Sequence, residues 1–71
     1  MESGEQIIVI KVPLANVRQL PSTQSPIIGT LKQGAEIKYI GLDGDWFEVV
    51  IEGKTGLQTG YVNKIVADMK K

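Results

Sequence analysis

Gly34-Ala35-Glu36-Ile37-Lys38-Tyr39-Ile40-Gly41-Leu42-Asp43-Gly44-Asp45-Trp46-Phe47-Glu48-Val49-Val50-Ile51-Glu52-Gly53 is the stretch on which the fold turns. From Ala35 to Leu42 it alternates, with Ile37 and Tyr39 on one face and Glu36, Lys38 and Ile40 on the other, the period of two of a half-buried strand. Asp43-Gly44-Asp45 interrupts the alternation with residue types that favour a turn. Trp46 to Ile51 alternates again, placing Phe47, Val49 and Ile51 on one face and Trp46, Glu48 and Val50 on the other. Two strands joined by so short a connection run antiparallel.

Outward from this hairpin the same reading continues. Gln33-Gly34 is a turn that requires positive φ at the glycine, and Ile27, Ile28 and Leu31 flank Gly29 in a short strand before it. Leu14 to Ser25 carries Asn16, Pro21, Ser22, Thr23 and Ser25 and reads as a long ordered loop, because these types form turns and bond their own backbone. Gln6 to Val12, apolar apart from Lys11, reads as the first strand, ended by Pro13. On the other side, Glu52-Gly53-Lys54 is a hairpin turn leading to a fifth strand from Thr55 to Val62. Gly56 and Gly60 within it point to a bulge or a close backbone approach. Asn63-Lys64-Ile65 reads as a single helical turn.

No window of eleven residues has helical apolar spacing free of Gly or Pro. The expectation is an all-β domain of five short strands, curled into a small, partly open barrel with one short helical turn near the C-terminus. Residues 6–67 are the expected folded domain, between a flexible segment 1–5 and a flexible tail 68–71.

Composition narrows the function. The 71 residues include no cysteine and no histidine, so disulfides and thiolate metal sites are absent and the commonest catalytic bases are missing. Eight basic and eight acidic residues cancel and are interspersed, whereas nucleic-acid binding needs clustered positive charge. The acidic start Met1-Glu2-Ser3-Gly4-Glu5 and the short apolar run Ile7 to Ile10 fit neither a secretory signal nor a membrane span. The chain reads as cytoplasmic if complete, and as an envelope or extracellular domain if cut from an exported parent. Asp43 and Asp45 are explained by the turn, a calcium loop would need more regularly spaced oxygens, and Gly53-Lys54-Thr55 fails as a phosphate loop because Glu48 stands where glycine is needed. No catalytic residue, metal or cofactor is expected.

The order of these signals resembles the bacterial Src-homology-3-like (SH3b) family from about Val12 to Val66. Ala15-Asn16-Val17-Arg18 followed by Pro21-Ser22-Thr23 is similar to its signature after the first strand. Ile27-Ile28-Gly29-Thr30-Leu31-Lys32-Gln33-Gly34 is similar to its second signature, and Gly44-Asp45-Trp46-Phe47-Glu48-Val49 to its Gly-x-Trp-aromatic-x-Val strand. Gly53-Lys54-Thr55-Gly56 and Gly60-Tyr61-Val62 resemble its closing hairpin. Two departures stand out: Gln19-Leu20 replaces the small pair before the proline, and Leu57-Gln58-Thr59 are extra in a hairpin where Tyr61 replaces a tryptophan. The resemblance implies an SH3-like barrel and a non-catalytic binding or targeting module, monomeric as an isolated domain. Such modules are often attached to exported bacterial proteins, where they engage peptidoglycan or a peptide or protein partner. The alternative is a protein–protein scaffold module that binds no glycan. Polyproline recognition of the eukaryotic type is disfavoured, since the acidic loop and tyrosine-rich first strand that line that groove are missing.

The candidate ligand-binding residues are Trp46, Tyr61, Tyr39, Arg18, Asn16 and Ser22. Trp46 points away from Phe47 beside a turn, where with Tyr61 and the Asn16 to Ser25 loop it forms an aromatic platform next to polar groups, an arrangement suited to peptides and sugars. It competes with a bland reading in which Trp46 only covers one end of the barrel. For Asn16 and Arg18 the structural reading leads: Asn16 bonds the loop backbone, and Arg18 pairs with a carboxylate or carbonyls across the barrel.

Overall fold

The computed structural model describes residues 6–53 and 56–70. Seven strands occupy most of this length: β1 Ile7–Ile10, β2 Leu14–Arg18, β3 Ile27–Lys32, β4 Glu36–Asp43, β5 Trp46–Gly53, β6 Gly56–Asn63 and β7 Ala67–Met69. A 3-10 turn at Lys64–Val66 lies before β7. All pairings are antiparallel and the sheet order is β3-β2-β6-β5-β4-β1-β7. The class is the expected all-β SH3-like one, with seven strands in an unclosed sheet in place of five.

The alternation that defined the central hairpin is realised. Phe47 and Val49 are buried while Trp46 and Glu48 lie on the other face, and β4 pairs with β5 around the Asp43-Gly44-Asp45 turn, where Gly44 takes φ of 61°. The Gln33-Gly34 turn has Gly34 at φ 88° and is docked onto the end of β1, with the Gly34 N–H donating to the Ile10 carbonyl at 2.8 Å. The Glu52-Gly53-Lys54 turn falls partly outside the described residues, as do Thr55, segment 1–5 and Lys71.

Two expectations are corrected. Leu14–Arg18, read as loop, is strand β2, paired with β3 from Leu14↔Lys32 to Arg18↔Ile27 with a bulge near Val17. Ala15 and Val17 are buried while Leu14 and Asn16 face out, so burial of alternate side chains overrides the turn preference of asparagine. The ordered loop shrinks to residues 19–26. Likewise β1 ends at Ile10, and the chain bends through residues 11–13 before β2.

The second correction concerns the tail. Ala67 is buried and Ile8↔Met69, Val9↔Asp68 and Ile10↔Ala67 pair β7 with β1, so the expected boundary at residue 67 falls inside a strand. Lys11 N–H donates to the Val66 carbonyl at 2.9 Å and Lys70 N–H to the Ile7 carbonyl at 2.7 Å, closing both ends of this pairing. Exposed ion pairs, Lys11 with Asp68 at 3.2 Å and Lys70 with Glu36 at 2.9 Å, contribute little beside these backbone bonds.

One face of the bent sheet encloses the core: Ile8, Ile10, Ala15, Val17, Tyr39, Phe47, Val49, Val62 and Ala67. Tyr39 and Phe47 meet edge to face, with ring centroids 5.1 Å apart. At Gly60, on the same face, a Cβ would lie 2.5 Å from Val17 Cγ1, 3.0 Å from Ile28 Cδ1 and 3.2 Å from the Arg18 carbonyl oxygen. This is the close backbone approach that the glycines of the fifth predicted strand announced.

Ending the chain after Val66 removes the β7 ladder and the Ala67 side chain from the core. Urea unfolding should show a loss of about 2 kcal/mol or more, at roughly 1 kcal/mol per lost hydrogen bond, whereas a fraying tail would leave the midpoint unchanged.

Candidate functional site

The face opposite the core carries polar side chains and two of the four aromatics, Trp46 and Tyr61. Directly opposed residues share a face of a sheet, and the register sets Arg18 against Tyr61, Glu48 against Tyr61 and Trp46 against Asn63. Arg18, Tyr61 and Glu48 thus form one row across β2, β6 and β5, and Trp46 and Asn63 form the next. Trp46 and Tyr61 are diagonal neighbours on adjacent strands, both half-buried.

Beside this row lies a groove of about 270 Å³ bounded by Leu14, Ala15, Asn16, Arg18, Thr23, Trp46, Asn63, Ile65 and Val66. Three of the expected site residues, Trp46, Arg18 and Asn16, therefore meet at one place. Tyr61 adjoins it through its pairing with Arg18. Leu14 and Ile65, 58% and 71% exposed, add accessible aliphatic surface to the same groove.

The loop beneath the groove is held by its own polar groups. Ser25, 8% exposed, accepts from Leu20 N–H through Oγ at 3.2 Å, and its hydroxyl proton is shared between the Leu20 carbonyl at 3.0 Å and the Ser22 carbonyl at 2.9 Å. Arg18 Nη1 donates to the Ser25 carbonyl at 2.9 Å, so the guanidinium pairs with a carbonyl as expected, but in the loop that follows its own strand and not across the barrel. Asn16 does not bond the loop backbone: it stands exposed on β2 across from Thr30, and its side chain makes no hydrogen bond among the described residues.

Two site expectations are relocated by the structure. Tyr39 lies in the core against Phe47, because its position shares the period-two face of Ile37 and pairs with Val49. Ser22 is exposed but serves the loop: its Oγ accepts from Gln24 N–H at 3.2 Å and its carbonyl accepts from Ser25 N–H at 3.2 Å. Sequence reasoning missed Leu14, Asn63 and Ile65 as groove residues, and included Thr23 only as part of the Asn16 to Ser25 loop. For Asn63 a signal existed, since Asn is a favoured helix cap: its Oδ1 accepts from Ile65 N–H at 2.9 Å and so fixes the turn that carries Ile65. Lys64 ties the same turn to the start of β5, through its N–H to the Asp45 carbonyl at 2.8 Å and its ammonium to the Asp45 carboxylate at 3.0 Å.

A larger, shallower cleft of about 650 Å³ lies elsewhere, lined by Gln19, Leu20, Ile28, Val50, Leu57, Gln58 and Thr59. It brings together both departures noted in the sequence, Gln19-Leu20 and the extra Leu57-Gln58-Thr59. Among the described residues it has no aromatic and no charged side chain, so these offer less to orient a ligand. Among the described residues no group of three or more His, Cys, Asp or Glu is placed to hold a metal, and no helix is long and apolar enough to cross a membrane.

Replacing Ser25 by Ala leaves the polar groups of the loop unsatisfied. It should lower stability by about 1–3 kcal/mol and speed hydrogen exchange at the Leu20 amide, which loses its acceptor. Unchanged exchange there would show that the loop is ordered by other contacts.

No curated protein matches the chain. The profile of the bacterial SH3 domain family matches residues 13–65, from the bend before β2 to the 3-10 turn. A domain of this family is in general a binding module rather than an enzyme. With the all-β architecture, the turn glycines and the Trp46 strand each in the expected place, the chain belongs to the bacterial SH3 domain family.

Proposed function

We propose that this domain is a non-catalytic targeting module which recognises a cell-wall (peptidoglycan) or peptide ligand for a larger envelope protein, through the groove beside Trp46. The observation that carries this reading is the convergence at one groove of an indole, two exposed aliphatic side chains and several hydrogen-bonding side chains, on the face of the sheet that the core does not use. Apolar walls supply contact area while a few placed polar groups set orientation, the usual division of labour in a ligand site. A half-buried tryptophan at the centre of such a patch is the residue type that dominates recognition energies.

The folded unit proposed to act is the barrel of residues 6–67 together with the remainder of β7. A scaffold role without glycan recognition is the competing reading, and the same experiment separates the two. Co-sedimentation of the purified domain with peptidoglycan sacculi should pellet the wild type, and Trp46→Ala should weaken this at least tenfold, about 1.4 kcal/mol, with the far-ultraviolet spectrum unchanged. Failure of the wild type to pellet would remove the cell-wall reading and favour the scaffold one. Pelleting that survives Trp46→Ala would move the site away from this groove.

A further inference from the structure

The polar lining of the Trp46 groove combines one fixed positive charge with neutral groups, of which Asn16 and Thr23 can donate or accept. Among the described residues Arg18 is the one charged side chain on it and no carboxylate lines it, in a protein whose formal charges cancel. Arg18 Nη1 is engaged by the Ser25 carbonyl, but a guanidinium has five N–H groups and no acceptor, so others remain for a ligand. The Asn63 side-chain oxygen Oδ1 is committed to Ile65 N–H, so what this side chain has left to offer a ligand is its NH2 donor. Thr23 adds a hydroxyl and Trp46 an indole N–H, which donates only.

The nearby acids are turned away or occupied. Glu48, on the same face and beyond Tyr61, has its Oε1 3.5 Å from where a Cβ on Gly41 of β4 would sit, on the side of β5 remote from β6 and Arg18. Asp45 is paired with Lys64. Asp43 stands across from Trp46 on β4, again on the far side of the indole from β6. An acceptor entering between Arg18 and Asn63 therefore meets donors without a competing negative charge.

We propose that the groove recognises a peptide through a carboxylate, received by Arg18 and flanked by Asn63 and Thr23, with an adjoining apolar side chain against Leu14, Trp46 and Ile65. This rests on the reading of the groove as the ligand site and adds the chemistry of what it selects. A charge-assisted contact from a half-buried guanidinium is stronger than a neutral one, so the carboxylate determines affinity and the apolar wall determines which neighbour accompanies it. A neutral glycan satisfies the donors without using the charge.

Short peptides differing only in the acid test this on the unaltered protein, with Trp46 fluorescence and backbone amide shifts as readouts. The set is acetyl-Leu-Ala-Ala with a free C-terminus, the same peptide amidated, and amidated acetyl-Leu-Glu-Ala, which moves the carboxylate to a side chain. One or both acid-bearing peptides should shift the amides of Asn16, Thr23 and Asn63 and bind about tenfold more tightly than the neutral one. That advantage should shrink as salt rises from about 50 to about 500 mM. Which acid binds identifies the source as a chain terminus or an acidic side chain. Arg18→Lys, which keeps the charge without the fork, should retain part of the preference, and Arg18→Gln should abolish it. Equal binding of acid and amide, or no peptide binding alongside Trp46-dependent pelleting on sacculi, would overturn the carboxylate proposal and leave the groove reading intact. Absence of both kinds of binding would overturn both.

Discussion

At Gly60 the backbone of β6 carries no side chain, and Val17 Cγ1, Ile28 Cδ1 and the Arg18 carbonyl fill the space where one would be. The rest of the molecule hangs on this contact. Among the described residues the β2–β3 pair is joined to the main sheet by one strand pairing, Arg18↔Tyr61, one residue further along β6. A side chain at residue 60 would hold β2 away from β6. Val17, completely buried, would then be displaced from the core cluster it belongs to. Interiors packed to crystal-like density give little room for such a shift.

The same contact positions the groove. Because side chains alternate across a strand, driving Val17 into the core turns Asn16 and Arg18 to the opposite face. There they meet Trp46 and Asn63, which are set on that face by the burial of Phe47 and Val62. The site is thus the reverse side of the core pattern. Its loop needs Arg18 from below and Ser25 from within, so the guanidinium belongs both to the scaffold and to the recognition surface.

How much of this was legible follows from which forces are local. The β4–β5 hairpin with its Asp43-Gly44-Asp45 turn, and the positive φ of Gly34 in the turn before β4, are readable because alternation and turn chemistry are properties of short stretches, and the same count places Trp46 on the outer face. β2 was hidden because Asn16, Pro21, Ser22 and Thr23 share the composition of a loop. Only the distant partners of Ala15 and Val17, on β6 and in the core, make their alternation decisive. β7 was hidden for a like reason: three residues acquire strand character from pairing with β1, nearly sixty positions away in the chain. Tyr39 was read as available to a ligand although its face, shared with Ile37, pointed inward. Residue type prompted that reading, and position overruled it. Leu14 and Ile65 gave no signal as groove residues because exposure of an aliphatic side chain is a property of the assembled surface.

The direct test of the account is the stability of Gly60→Ala, followed by urea unfolding with a two-dimensional amide spectrum. One methyl group there must displace Val17 and the Arg18 backbone, so the account predicts a loss of about 1–3 kcal/mol, with the largest shifts at Val17, Arg18, Ile28 and Tyr61. A variant as stable as the parent, with those amides unmoved, would contradict it.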